Sequence, residues 1–197
     1  MTQTSGQPQA LSPEALDAVT GGAVGGGNDS VRGGSGSDYI NAQGGNDSVA
    51  GGAAGDMLDG GAGNDLVMGN SGNDTITGGA GDDVLIGGTG ADIINGDQAY
   101  GTQGNDVIRW HPGEGNDTIN GGGGTDQLVL EDTGMSLQQL FSAITLDQGS
   151  ARPVLGPHSI NLTGVSGTIT IGGETIRFSG MESLVAGSYQ YFSGRSE

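Results

Sequence analysis

The sequence predicts an all-β fold, a solenoid of short parallel strands followed by a β-rich C-terminal cap. Three observations predict it. Asp29, Asp38, Asp47, Asp56, Asp65, Asp74, Asp83 and Asp92 fall nine residues apart without a slip. Each is followed two residues later by an aliphatic: Val31, Ile40, Val49, Leu58, Val67, Ile76, Leu85 and Ile94. Glycine supplies 44 of 197 residues, against a usual share of about 7%. An unbroken short period marks stacked repeats, each burying its apolar side against its neighbours.

The N-terminal segment, residues 1–22, lies outside the period. Ser12 suits a helix N-cap and Pro13 the first helical position. Leu11, Leu16 and Val19 give a small apolar stripe, and Gly21-Gly22 stops the predicted helix.

Residues 23–129 are the repeat region. Gly27, Gly36, Gly45, Gly63, Gly72, Gly81 and Gly90 sit two residues before the aspartates, with Ala54 the one substitution. The pattern then stretches twice. One unit gains five residues around Tyr100 and ends in Asp106 and Ile108. The next gains two, as Trp110-His111-Pro112-Gly113-Glu114-Gly115, and ends in Asp117 and Ile119. A last regular unit carries Asp126 and Leu128. Tyr100 and Trp110, at the irregular units, are expected to cover exposed coil edges.

Residues 130–197 lose the period. Ser136 to Phe141 reads as a short helix. Ser159–Leu162, Thr168–Ile171, Thr175–Phe178 and Ser183–Ala186 alternate apolar and polar residues, which suits strands. Gly172-Gly173 reads as a hairpin turn. This region is expected to cap the solenoid, whose terminal coil needs a polar outer face.

The repeat G-G-x-G-x-D-x-U-x resembles the RTX, or haemolysin-type, calcium-binding nonapeptide family. Gly33-Gly34-Ser35-Gly36-Ser37-Asp38-Tyr39-Ile40-Asn41 and Gly60-Gly61-Ala62-Gly63-Asn64-Asp65-Leu66-Val67-Met68 match in full. The resemblance implies a right-handed parallel β-roll that binds multiple calcium ions between adjacent same-side turns. It implies ligands from Asp29, Asp38, Asp47, Asp56, Asp65, Asp74, Asp83, Asp92, Asp106, Asp117 and Asp126. It adds carbonyls near Gly27, Gly34, Gly36, Gly45, Gly61, Gly63, Gly72, Gly79, Gly81, Gly88, Gly90, Gly104, Gly122 and Gly124. The segment Leu11 to Gly22 resembles a double-glycine leader, which implies cleavage after Gly22 by a peptidase-containing ABC exporter. The other reading of this segment is a frayed cap helix on the solenoid.

The residue types fit that chemistry. Calcium is a hard cation that takes six to eight oxygens. Glycines let the backbone turn sharply and aim carbonyls inward, and the aspartate adds a carboxylate. With two nonapeptides per coil, the aspartates form two ladders. One runs Asp29, Asp47, Asp65, Asp83, Asp106, Asp126; the other runs Asp38, Asp56, Asp74, Asp92, Asp117. Stacked carboxylates at strand spacing, about 4.8 Å, repel strongly without cations between them. One buried aliphatic per nine residues does not offset the entropy of ordering them, so folding is expected to require metal. Val24, Ala42-Gln43, Ala54 and Asn70 replace glycines and mark the weaker units. Asp97, beside the Tyr100 insertion, is a further candidate ligand.

Charge and motifs exclude other classes. Asp plus Glu number 23 against 5 Lys plus Arg, a formal net charge of -18. That opposes nucleic acid and anionic membranes, and no apolar run approaches a membrane span. There are no cysteines, so metal is the remaining staple for a chain of low core content. His111 and His158 sit in no H-E-x-x-H helix, and no G-x-S-x-G elbow occurs. The third repeat positions hold no threonine row of the kind ice binding needs. The chain is therefore read as a non-enzymatic, secreted, calcium-binding repeat protein. The alternative is a calcium-dependent module adhering to a cell-surface or matrix component. Type I secretion is typical of the family, although Gln190–Glu197 carries no clear C-terminal signal.

Overall fold

The computed structural model describes residues 18–20, 25–98 and 103–187. The rest of the leader-like segment with Gly22, Val24, Tyr100 and the C-terminal tail lie outside the described residues. Two parallel sheets face each other. One is built from β2 (Ser30–Gly34), β4 (Ser48–Ala53), β6 (Leu66–Ser71), β8 (Val84–Thr89), β10 (Val107–Trp110) and β12 (Gln127–Glu131). The other is built from β3 (Tyr39–Asn41), β5 (Met57–Ala62), β7 (Thr75–Ala80), β9 (Ile93–Asp97) and β11 (Asp117–Asn120). The fold is the predicted β-roll.

The register is set by the aliphatic position. Val31 pairs with Val49, Val49 with Val67 and Val67 with Leu85. Both stretched units keep this alignment: Leu85 pairs with Ile108, and Ile94 with Ile119. A slip of one residue would turn every aliphatic outward, so both insertions leave the strand alignment intact. The result is two interior columns, Val31 to Leu128 and Ile40 to Ile119, each member at most 2% exposed.

The C-terminal region closes this stack. Helix α1 (Leu137–Ala143) starts at Ser136 with a capping box to Gln139. Next come β13 (Ile144–Leu146), β14 (Val154–Leu155), β15 (Ile160–Ile171) and β16 (Glu174–Gly187). The four short strands expected here are two long ones, joined through Gly172-Gly173 at φ 62° and 99°. Register shifts in β15 near Val165 break its alternation, which is why it reads as two strands in sequence.

Strand β16 joins the two sheets. Its first half pairs with β11, placing Phe178 against Ile119. Its second half pairs with β12, placing Leu184 against Leu128. It thus extends both columns as a final, shortened coil.

The opposite end differs from expectation. Ala18–Thr20 form strand β1, antiparallel to β2, and not the end of a helix. Strand β2 otherwise presents an unpaired edge, and pairing that edge overrides the local helical pattern.

Candidate metal centre

Turns that open with glycine bring the same atoms together. Gly60 opens a turn that ends at Asp65. A Cβ added at Gly60 would lie 2.5 Å from Asp65 Oδ2 and 2.7 Å from Gly78 O, a carbonyl of the next turn on the same side. Gly51, Gly69 and Gly78 repeat the arrangement with Asp56, Asp74 and Asp83. A carboxylate oxygen and a neighbouring carbonyl therefore converge on a space that any side chain would fill. These first glycines of the G-G pair were not singled out in the sequence, which drew attention to the second and fourth positions. Their signal was the doublet itself.

The second and fourth glycines have another task. A Cβ at Gly45 would strike Gly27 O, and one at Gly79 would strike Gly61 O. Both have φ near 120°. They let each turn pack on the carbonyl of the turn before. Gly27 and Gly36, toward the N-terminal end, have nothing among the described residues within 4 Å of an added Cβ.

The aspartates form the two predicted ladders, with a polarity. Each backbone N–H donates to the carboxylate of the next aspartate on its side: Asp29 to Asp47 at 2.7 Å, Asp47 to Asp65 at 2.7 Å and Asp65 to Asp83 at 2.8 Å. The second side repeats this from Asp38 through Asp117, each bond 2.8 Å. The accepting atom is always Oδ1. The Oδ2 atoms of Asp47, Asp56, Asp65, Asp74, Asp83, Asp92, Asp106 and Asp126 are buried and accept no hydrogen bond among the described residues. A row of buried carboxylate oxygens left this way is costly unless a cation faces it.

The donors fit calcium. They are hard oxygens, without sulfur or imidazole, and backbone carbonyls stand beside the carboxylates. No three His, Cys, Asp or Glu side chains converge among the described residues, so those carbonyls must complete any coordination shell.

Burial and mutual repulsion raise the pKa values of the ladder carboxyls. Asp83, Asp92 and Asp106 are pushed up to about 7 and Asp126 to about 6. Desolvation is the largest cause, and neighbouring carboxylates add to it. The metal-free roll holds more protons than the unfolded chain between about pH 4 and 7. Its stability therefore falls as pH rises through that window. In chelator, circular dichroism should report more β-structure at pH 4.5 than at pH 7.5. Calcium binding near pH 6.5 should release protons, seen as enthalpies that depend on the buffer.

Asp117 departs from the pattern. Trp110 stands where most other turns begin with glycine, and its Nε1–H donates to Asp117 Oδ2 at 2.7 Å. Trp110 is 1% exposed, so it belongs to the core and does not cover a coil edge as expected. Its indole fills the space that other turns leave open and takes up the spare oxygen. Trp110→Phe would keep most of the ring but leave Asp117 Oδ2 unpartnered, costing about 1–3 kcal/mol. The calcium midpoint of folding should rise accordingly.

Gln43, Ala54 and Asn70 occupy glycine positions at φ 72°, 75° and 77°. A left-handed conformation costs a non-glycine residue roughly 1–2 kcal/mol. Ala54→Gly and Gln43→Gly should each stabilise the calcium-loaded roll by about 1 kcal/mol in thermal melts.

A second ladder was not foreseen. On the Asp29 side, the residue before each aspartate accepts the backbone N–H of its counterpart one turn later: Asn46 donates to Asn28, Asn64 to Asn46 and Asp82 to Asn64 at 2.8–3.1 Å. Its polarity opposes that of the aspartates. The cap also continues the inner ladder, since Asp126 N donates to Glu182 Oε2 at 2.8 Å. The recurrence of Asn at this position was the available signal for the first. Glu182 carried none, lacking a G-G-x-G frame.

A family profile, the RTX calcium-binding nonapeptide repeat, matches this chain in four copies at residues 24–58, 59–94, 95–109 and 113–132. The chain belongs to that family. As an RTX repeat protein it binds multiple calcium ions across its repeats. No curated protein matches the chain. Among solved structures, the extracellular lipase LipA from Serratia marcescens is similar over 81% of this RTX chain, at 15% identity and a TM-score of 0.26. The chain spans 38% of that lipase's length. No helix among the described residues is long and apolar enough to cross a membrane.

Proposed function

We propose that the two aspartate ladders hold the calcium ions and that calcium drives the coiling. In this reading residues 23–129 form the calcium-binding roll and residues 130–197 its cap. The ligands are the ladder aspartates and the carbonyls of the glycine turns. The observation that carries this is the row of buried Oδ2 atoms that accept no hydrogen bond among the described residues, those of Asp56, Asp65, Asp74, Asp83, Asp92, Asp106 and Asp126 lying against the glycine that opens the turn. Asp117 and Asp29 are exceptions, because Trp110 takes the second oxygen of the one and the Gly25 N–H reaches that of the other.

The protein is exported and works outside the cell as a non-catalytic, calcium-ordered module. Cytosolic calcium is too low to fill such sites, so the chain stays threadable until it leaves. Residues 1–22 serve as the leader read by an ABC exporter. Calorimetric titration of chelated protein tests the core of this reading; a chain that takes up no calcium sinks it. Mass spectrometry of exported protein tests the leader: a product starting at Ala23 is expected, and one starting at Met1 rejects it.

One observation favours the adhesion reading as a second function. Tyr39, Met57, Thr75 and Ile93 align in one outward row. Tyr39, Met57 and Ile93 are 56%, 52% and 49% exposed. Pull-down on cell-surface or matrix material, with calcium and with chelator, tests whether that row docks a partner.

A further inference from the structure

Strand β1 belongs to two segments at once. Ala18–Thr20 lie within residues 1–22, the leader-like segment. They also run along the outer edge of β2, with Ala18 opposite Arg32, Val19 opposite Val31 and Thr20 opposite Ser30. This pairing is antiparallel. Among the described residues, every other neighbouring pair of strands within the two facing sheets is parallel. Strand β1 is therefore not one more coil of the roll but an addition laid on its edge.

A strand edge offers a row of N–H and C=O groups that another strand can pair. Cleavage after Gly22 would carry β1 away with the leader. The edge of β2 would then be bare on a folded roll, and bare edges recruit strands.

Two observations choose the recruit. First, β1 shows that this edge accepts a strand running antiparallel to β2. A second copy meets that demand by symmetry. A two-fold axis perpendicular to the sheet keeps both inner faces on one side and reverses the strand direction, so β2 meets its own twin antiparallel. The pairing with β1 centres Val19 on Val31. An axis through Val31 places Val31 opposite its twin and Ser30 opposite Arg32 of the second copy, in the same register. Second, the far end has no strand to give. Strand β16 already pairs with β11, β12 and β15, so head-to-tail stacking is closed and assembly stops at two.

We propose that β1 is a removable cover, and that the processed chain pairs with a second copy of itself through the bared edge of β2, antiparallel and centred on Val31. This rests on residues 1–22 being cut away after Gly22. Two rolls joined in this way make one longer roll with a cap at each outer end. Calcium in the turns offsets the repulsion between two strongly acidic copies, so the pairing requires calcium.

Sedimentation equilibrium in calcium is the measurement, with circular dichroism in parallel. It compares the full chain, the processed chain, and the full chain carrying Val19→Pro together with Thr20→Pro. Backbone donors alternate sides along a strand, so one of the two prolines removes a bond to β2. The full chain should be monomeric. The processed chain and the double variant should show twice the monomer mass. A peptide of residues 11–22 added in excess should return the processed chain to monomer. The protein has no cysteine, so Val31→Cys should link two processed chains through a disulfide, whereas Val154→Cys, on the exposed cap, should not. A monomeric processed chain, a full chain that dimerises equally, or a peptide without effect overturns the proposal. Loss of β-structure in the double variant also overturns it, since β1 would then be part of the fold and not a cover. An exported protein that starts at Met1 removes the leader reading instead, a separate result, and the double variant of the full chain still reports on the edge.

Discussion

Calcium added to the chelated chain should convert a disordered far-UV circular dichroism spectrum into a β-rich one. It should also reduce the radius of gyration by about half or more. The argument is electrostatic and entropic together. The roll stacks buried carboxylates at strand spacing within a chain of net charge -18. Its interior gains one aliphatic per nine residues in the regular units, too little to order a glycine-rich backbone. Ions between the turns change the sign of the largest unfavourable contribution. Magnesium should not substitute, because it demands a small, near-octahedral shell and gives up water reluctantly. A β-rich spectrum that persists in excess chelator would refute the calcium-driven coiling.

Asp65→Ala should raise the calcium midpoint of folding by about tenfold or more. Asp65 lies mid-ladder, and its Oδ1 accepts the N–H of Asp47. Its Oδ2 faces the gap beside Gly60 and Gly78 O. Alanine removes both. A buried N–H left unsatisfied costs about 1–3 kcal/mol, and 1.4 kcal/mol is about tenfold in a binding constant. Each coil contacts only its neighbours, so a break at the centre divides the stack. Asp65→Asn, which keeps the acceptor but loses the charge, should fall between wild type and Asp65→Ala. Asp29→Ala is the comparison. Asp29 begins its ladder and its Oδ2 accepts only a long bond, 3.3 Å, from Gly25. Its shift should be several-fold smaller. Equal shifts for Asp29→Ala and Asp65→Ala, read from circular dichroism against free calcium, would reject the coupling between coils.

The roll was legible because its determinants are local and periodic. An aspartate every nine residues and an aliphatic two positions later fix turn, strand and column at once. The insertions near Tyr100 and at Trp110 did not obscure the register, since the aliphatic positions anchor it. What the sequence hid depends on contacts between distant segments. The burial of Trp110 follows from a first-position side chain meeting Asp117, and a pattern that marks units by their glycines treats it only as an irregularity. Ala18–Thr20 pair with β2 because that edge is free, which no nearby residue announces. Strand β16 acts as a coil without the repeat motif: Phe178 and Leu184 stand six residues apart, not nine, and Glu182 reaches Asp126 with one extra methylene. The ligand atoms themselves are only half readable. The aspartates declare themselves, whereas the carbonyls come from backbone that any residue possesses.

Strand β16 gives the stack two unequal ends. Its pairing with both β11 and β12 rivets the walls together at one extremity. At the other, β1 pairs only with β2 among the described residues. A cylinder whose two walls share a strand at one end can be shortened from the other, coil by coil, and the remainder still has a floor. Cutting away the floor instead would leave two walls held only by their turns. Natural or engineered variation in repeat number is therefore best tolerated toward the N-terminus, and truncation before Glu174 is the cut the architecture cannot absorb.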